Sequence, residues 1–358
     1  DNSLDDSNSG DYVAADFGIV GDSPTIDDMI NWMRGEDIQD VDNDPATTVR
    51  YAMGDPLHAQ PAAIVYGGTE ENPDAVVFVA TNDGYLHAID ASDGTELWSF
   101  VPKELLGRMA TLYDDPDMAY KIYGLDGDVI PVIRDVDRDG VIEENDDDFA
   151  IILFGMRRGG YTYRAIDVTD RDKPTLLWER TLDNGGQSWS PPVVARMDIA
   201  DSGQDDTKAV VVLGGGYDGV HDTPAFNEAV DALGAGIHVL DLMSGDTLWY
   251  AGHTDTDADL QLSTMTRAIP TRVKVIDINA DGFADRMYAS DLGGQLWRFD
   301  VSNGNARNAL VAGCVIAQLG AEGLTGPTAA DNRRFYTSTD VSIFNDVRQN
   351  SRFIALSI

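Results

Sequence analysis

The chain has 358 residues, with 62 Asp and Glu against 25 Lys and Arg, for a formal net charge of −37. Such a field repels polyphosphate backbones and so excludes general nucleic-acid binding, while 43% hydrophobic residues exclude a disordered chain. Of the acids 52 are Asp and 10 are Glu, and because Asp favours turns and cation loops where Glu favours helix surfaces, the charge is placed in loops.

The length suits one large all-β domain or two ordinary domains, and composition favours the former. The single cysteine, Cys314, rules out a disulfide within the chain. No run approaches the roughly 18 apolar residues of a membrane-spanning helix, so no membrane insertion is expected.

In chain order, residues 1–24 are read as a flexible acidic lead-in, since DNSLDDSNSGD offers too little apolar surface to offset ordering entropy. The segment TIDDMINWMRG at 25–35 predicts a helix: Ile26, Met29, Ile30 and Met33 recur at three- and four-residue spacing, Asp27 and Asp28 fill the first turn, and Gly35 stops it. It is the one clear helix expected, and residues 25–50 form a helical and loop segment ahead of the main domain, residues 51–358. There AAIVYGG, AVVFVATNDG, YLHAID, AIILFGM, YTYRAID, PPVVARM, AVVVLGGG, GIHVLDL, RVKVIDI, DRMYASD and GQLWRFD are separated by Gly, Asp, Asn and Pro. This strand-turn rhythm without helical crossovers predicts an antiparallel all-β architecture. The final run, RFIALSI, reads as an unfinished strand, so the domain is expected to be truncated at its C-terminus and the chain to be a piece of a longer protein.

One unit repeats: an apolar strand, a Gly turn, a second strand ending in Asp, a polar turn and then an aromatic. The strand-ending Asp90, Asp167, Asp241 and Asp300 are 77, 74 and 59 residues apart, longer than the roughly 40–50 of compact propeller blades. A β-propeller with long inter-blade insertions hides strand edges most economically, with a pair of β-sandwiches as the runner-up. Trp98, Trp178, Trp249 and Trp297 are expected to pack between blades.

The sharpest chemical signal is Asp277-Ile-Asn279-Ala-Asp281-Gly282-Phe283-Ala-Asp285. Oxygens at positions 1, 3 and 5, a turn-forming glycine, the Phe283 carbonyl and a closing Asp285 suit hard Ca²⁺, which takes six to eight oxygens. Flanking strands rather than helices make it a short calcium loop in a β context, against the plainer reading of a solvated acidic turn. A second candidate calcium site repeats the spacing: Asp135, Asp137, Asp139, Val141 through its carbonyl and Glu143, with Glu144 nearby and Asp146 at the twelfth position. The sets Asp40, Asp42, Asp44 and Asp198, Asp201, Asp205, Asp206 lack a glycine or regular spacing and read as solvated loops. Among His58, His87, His221, His238 and His253 there is no paired metal spacing, no G-x-S-x-G is present, and LGGGYDG at 213–219 lacks the following K-[ST] of a phosphate loop. No catalytic residues are assigned.

GDPLHAQPAAIVYGG (54–68), VVFVATNDGYLHAID (76–90), DGDVIPVI (126–133), ILFGMRRGGYTYRAIDVTD (152–170), SWSPPVVAR (188–196), VVLGGGYDG (from 211) and above all KVIDINADGFADRMYASDLGGQLWRFD (274–300) resemble the C-terminal propeller domain of PilY1-type adhesins of type IV pilus tips. The resemblance implies a modified seven-bladed β-propeller, left incomplete by this stretch of chain. It implies calcium at Asp277, Asn279, Asp281, Phe283 and Asp285, with occupancy regulating pilus extension and retraction and supporting adhesion or twitching motility. It further implies a non-enzymatic, exported protein at the pilus tip, or in the periplasm or outer membrane during assembly. Minor pilins are the implied partners, with host or abiotic surfaces reached through an N-terminal region this stretch lacks. Two alternatives share the blade motif: a pyrroloquinoline-quinone dehydrogenase, suggested by AIDASDGTELW and VLDLMSGDTLWY, and an outer-membrane assembly scaffold.

Overall fold

Nineteen strands alternate with short turns in a computed structural model that describes all residues except 1–2, 6, 51–52, 118, 144–146, 201–206, 224–228, 255, 323, 347 and 349–350. The first sheet is β1 (Ala62–Gly68), β2 (Pro73–Ala80), β3 (Leu86–Asp90) and β4 (Glu96–Phe100) in sequential antiparallel order. The second is β5 (Val129–Arg134), β6 (Phe149–Phe154), β7 (Thr162–Asp167) and β8 (Thr175–Thr181). The third is β9 (Val193–Asp198), β10 (Thr207–Gly214), β11 (Gly236–Asp241) and β12 (Thr247–Gly252), with the short β13 (Leu260–Gln261) parallel to β12. The fourth is β14 (Lys274–Ile276), β15 (Arg286–Ser290), β16 (Gln295–Val301) and β17 (Val311–Gln318), followed by a hairpin of β18 (Asp340–Asp346) and β19 (Ser351–Ser357). The propeller expected from the repeat is present. Among the described residues it amounts to three four-stranded sheets, one of five strands and one hairpin, so the seven-blade count is not reached here. The segment RFIALS lies in β19, which pairs with β18 along its whole length, and Ile358 follows it.

Each strand-ending aspartate marks the third strand of one sheet, which is why the repeat was visible. Asp90, Asp167 and Asp241 end β3, β7 and β11, and each folds its carboxylate back onto the following turn, accepting from the N–H of Ser92, Thr169 and Met243 at 2.8–2.9 Å. Such Asx turns satisfy backbone donors that the ladder has released.

The sheets stack face to face, and β6 records this in its sequence. Ala150, Ile152 and Phe154 belong to the cluster shared with the first sheet, while Ile151 and Leu153 belong to the one shared with the third. A strand covered on both faces reads as a continuous apolar run, FAIILF, rather than an alternating one. Strand β10 does the same, with Val210 and Val212 facing the fourth sheet's cluster and Val211 and Leu213 the second's. Each such side chain contributes about 1.5–3 kcal/mol on burial.

Tryptophans lock neighbouring sheets, as expected. Trp98 on β4 donates its indole N–H to the Arg171 carbonyl at 2.9 Å, and Trp178 on β8 donates to Leu242 at 2.8 Å, each in the turn after the third strand of the next sheet. Gly245 makes room for the second contact: it sits at φ 70°, and a Cβ there would lie 2.6 Å from the Trp178 ring. Trp249 and Trp297 are also fully buried, but Trp297 lies on the third strand, β16, and donates within its own sheet to Asp291 at 2.8 Å.

The predicted helix forms as α1 (Ile26–Met33), with Thr25 and Asp28 capping each other reciprocally at 3.1 and 3.0 Å. It is not the only one: α2 (Lys103–Leu106) and α3 (Met109–Asp114) lie between β4 and β5, too short for a periodic signal. The acidic lead-in is more ordered than its composition suggested. Phe17 is fully buried in the first core cluster, and Leu4 and Tyr12 pack against it, because a few apolar residues suffice to anchor a polar segment. No helix among the described residues is long and apolar enough to cross a membrane.

Candidate metal centre

Loop 277–285 joins β14 to β15, and loop 135–148 joins β5 to β6, so both connect the first and second strands of a sheet. Four of their hydrogen bonds recur position by position. Asp277 Oδ1 accepts the N–H of Ala280 at 2.6 Å and Oδ2 that of Gly282 at 2.7 Å; Asp135 accepts from Arg138 at 2.5 Å and Gly140 at 3.0 Å. Asn279 and Asp137 accept from Asp281 and Asp139 at 3.0 and 3.1 Å, and Asp281 and Asp139 from Phe283 and Val141 at 2.9 and 2.8 Å. The fourth residue of each loop, Ala280 or Arg138, has φ near 64–65°, and the sixth, Gly282 or Gly140, has φ 91° or 84°. The glycine carries the second left-handed turn at no steric cost.

The eighth residue pins each loop to the first strand of the preceding sheet. The Ala284 N–H donates to Arg196 on β9 at 2.9 Å, and the Ile142 N–H donates to Tyr66 on β1 at 3.1 Å. The loops are therefore structural repeats of one another, a relationship the D-x-[DN]-x-D-G spacing had indicated.

They close differently from the sequence expectation. Asp285 Oδ2 accepts from Ile278 N–H at 2.6 Å and Asn279 N–H at 3.2 Å, drawing the end of the first loop onto its beginning. In the second loop Glu143 holds the equivalent sequence position but is exposed. The closing contacts belong to Asp148, whose two oxygens accept Val136 N–H at 2.6 Å and Glu143 N–H at 3.3 Å. Asp148 is buried and immediately precedes β6, as Asp285 immediately precedes β15. Sequence reasoning missed it because the additional residues before Asp148 displace it from the counted spacing. The readable signal was the aspartate next to the second strand. Asp146 lies outside the described residues, as do Glu144, Asp201, Asp205 and Asp206.

Oxygens of Asp135, Asp137 and Asp139 lie within 4.8 Å of one another, a spacing one cation can span. Asp37, Asp40 and Asp42 do the same, although Asp40, Asp42 and Asp44 were read as a solvated loop. In loop 277–285 the three carboxylates of Asp277, Asp281 and Asp285 are not among the groups that converge to this distance. Its Asn279 Nδ2 instead donates to Asp281 at 2.9 Å. The Asp277 carboxyl is held below the ordinary carboxylate value, chiefly by the Gly282 N–H and then by further loop amides. Each carboxylate still has lone-pair capacity beyond that given to amides, so the all-oxygen donor set fits a hard divalent cation, and calcium bound there would neutralise charges held close together.

The family of PilY1 β-propeller domains matches residues 38–317. The type IV pilus biogenesis factor PilY1 of Pseudomonas aeruginosa is 31% identical over 236 residues, covering 64% of this chain and 17% of its own length. A PilY1 homolog of Xylella fastidiosa is 26% identical over 318 residues, covering 82% of this chain and 23% of its own. The chain thus spans less than a quarter of these relatives. The crystal structure of the P. aeruginosa PilY1 C-terminal domain superposes with a TM-score of 0.49 at 24% identity, covering 78% of this chain and 51% of that one.

Proposed function

The chain belongs to the PilY1 β-propeller domain family, and from that premise we propose that it is the calcium-binding propeller of a type IV pilus biogenesis factor. Calcium is held by Asp277, Asn279, Asp281, the Phe283 carbonyl and Asp285, with a second ion on Asp135, Asp137, Asp139, the Val141 carbonyl and Asp148. The observation that carries this reading is the pair of loops with matching amide hydrogen bonds inside the matched region. Backbone N–H groups hold the acidic side chains of each loop in place before any ion arrives, which reduces the ordering cost of binding.

In this reading a bound ion stabilises the ordered loop by mass action, by about 2.7 kcal/mol at a hundredfold excess over Kd. Loop 277–285 rests on β9, and Asn303, in the turn after β16, donates to Ala284 at 2.9 Å. Occupancy would therefore stiffen the junction of the third and fourth sheets. We place this module outside the cytoplasm, docking on minor pilins, biasing pilus extension against retraction and supporting adhesion without catalysing a reaction.

Calorimetry on the chain should show calcium binding that Asp281→Ala weakens by at least about tenfold. A piliated host carrying the same substitution in its full-length protein should display altered numbers of surface pili. Undiminished calcium binding by Asp281→Ala counts against the site, and unchanged piliation despite lost calcium counts against the regulatory role.

A further inference from the structure

In each four-stranded sheet the turns between first and second strands, where the metal loops lie, leave one edge. The turns between second and third strands and the crossings to the next sheet leave the other. At that second edge a pocket of about 470 Å³ opens, a size suited to small molecules. Its wall is built from the β6–β7 turn (Arg157, Arg158), the β8–β9 crossing (Trp189) and the β10–β11 turn (Tyr217, Asp222), with Tyr336 from the segment before β18. The glycines of LGGGYDG serve this arrangement: a Cβ on Gly215 would lie 2.4 Å from the Gly234 carbonyl oxygen, so only glycine lets the chain deliver Tyr217 here.

Charge in the pocket is paired with one exception. Arg158 meets Asp222 at 3.0 Å, and Tyr217 donates its hydroxyl to the same oxygen at 2.7 Å. His58 Nδ1 meets Asp126 at 2.8 Å, where the carboxylate is fully enclosed. Arg157 has no such partner. Its guanidinium lies 4.5 Å over the Trp189 ring, while Trp189 stacks on Tyr217 at 4.2 Å. Among the described residues it donates no side-chain hydrogen bond, and its Nε is enclosed and unpartnered. Asp126 and Asp128 influence it through space, but Asp128 pairs with Arg272 at 3.5 Å and Asp126 with His58. The backbone of Arg157 also sits at φ 45°, a conformation that costs a long side chain energy and is maintained by its surroundings. A strained, stacked arginine with its donor fork uncommitted is an unusual feature in a chain of net charge −37.

We propose that this pocket binds a small monocarboxylate with a planar apolar body, its carboxylate paired with Arg157. One surplus cation matches one negative charge, whereas a dianion would meet Asp126 and Asp222. The rings of Tyr123 and Tyr336 line the remaining wall and favour a flat apolar ligand. The chain's overall charge disfavours an acidic macromolecule as the carrier, and a guanidinium fork matches a carboxylate bidentately.

The test is calorimetry of the whole chain with benzoate, benzamide as its neutral counterpart and inorganic phosphate. Saturable one-to-one benzoate binding is expected, with benzamide at least about tenfold weaker. Arg157→Gln should lose about tenfold or more in benzoate affinity, and Arg157→Lys should retain part of it. Thermal unfolding shows whether each variant is folded, and Tyr336→Ala, which lines the pocket beside Trp189 and Tyr217, should weaken benzoate independently if Arg157→Gln does not fold. Absent benzoate binding, equal binding of benzamide, tighter binding of phosphate, or indifference of benzoate to both Arg157→Gln and Tyr336→Ala overturns the proposal. Benzoate binding that survives Asp281→Ala keeps this result separate from the calcium reading.

Discussion

Replacing Asp148 with Ala removes the acceptor that joins the two ends of loop 135–148. Its carboxylate is 7% exposed and receives Val136 N–H at 2.6 Å and Glu143 N–H at 3.3 Å. A hydrogen bond to an ionised group contributes about 1.5–3 kcal/mol. The first contact falls in that range, and the second, longer one adds a fraction of it, so the loss should be about 2–4 kcal/mol. An opposing effect is relief of repulsion from Asp135, Asp137 and Asp139, which salt screens, so the loss should grow between low and high ionic strength. Urea unfolding in the presence of a chelator measures this as a fall in midpoint at constant slope. Glu143→Ala, at the position that sequence spacing designates, should stay within about 0.5 kcal/mol of the parent because Glu143 is exposed. An Asp148→Ala loss below about 0.5 kcal/mol, or a Glu143→Ala loss as large as that of Asp148→Ala, would refute the assignment of Asp148 as the closing residue.

Trp178→Phe keeps a ring against Gly245 but abandons the 2.8 Å bond to Leu242, and should cost about 1–3 kcal/mol by leaving an enclosed carbonyl unpaired; unchanged stability would mean that this contact does not hold the second and third sheets together. The pH dependence turns on two buried groups. Burial raises Asp291 from 3.8 to about 7, so the folded chain keeps a proton the unfolded one releases, and this group's stabilising contribution is lost as pH rises from about 4 to about 7. Burial lowers His238 from 6.5 to about 3, so the unfolded chain takes a proton the folded one refuses, and stability is lost as pH falls from 6.5 towards 3. The two oppose each other between about pH 4 and 6.5. His238→Phe, which preserves the 4.3 Å stack on Tyr250, should remove one of them, so that its stability minus the parent's grows by about 1.4 kcal/mol per unit as pH falls through that window. A flat difference curve rejects the buried neutral histidine.

Much of the fold was legible because the third strand of each of the first three sheets ends in an aspartate whose turn chemistry is local. Strands covered on both faces, β6 and β10, were also readable as apolar runs. The fourth strands were the least visible. In β4 and β8 most positions are exposed or half-buried, so ELWSF and TLLWERT carry little periodic signal, although each contributes the tryptophan that locks the next sheet. The two acidic loops were legible through residue spacing, since each hydrogen bond of the first six positions is made within the loop itself. Asp148 was not, because its role depends on where β6 begins, and β-strand boundaries are set by pairing with distant residues. The Arg157 pocket was invisible for the same reason: its side chains come from positions as far apart as 58 and 336, brought together by sheet topology.

The parity of the fold separates these two kinds of site. A meander of four antiparallel strands sends its first and third turns to one edge and its second turn to the other, and a crossing that begins the next sheet in the same orientation returns to the second edge. Turns on the first edge connect strands that pair directly, and Asp-rich Asx turns and the two acidic loops satisfy much of their backbone locally. The second edge also carries the long crossings, such as residues 182–192 between β8 and β9, which pack against turns of neighbouring sheets: Met156 N–H donates to Ser188 Oγ at 2.8 Å and Gly214 N–H to Ser190 Oγ at 2.8 Å. Segments from several sheets meet on both edges: Arg134, Asp148, Asp167 and Met243 line a pocket of about 510 Å³ on the first, while the crossings add aromatic and cationic side chains to the pocket on the second. The two acidic loops thus belong to the first edge and Arg157 to the second, where Trp189 from the β8–β9 crossing covers its guanidinium.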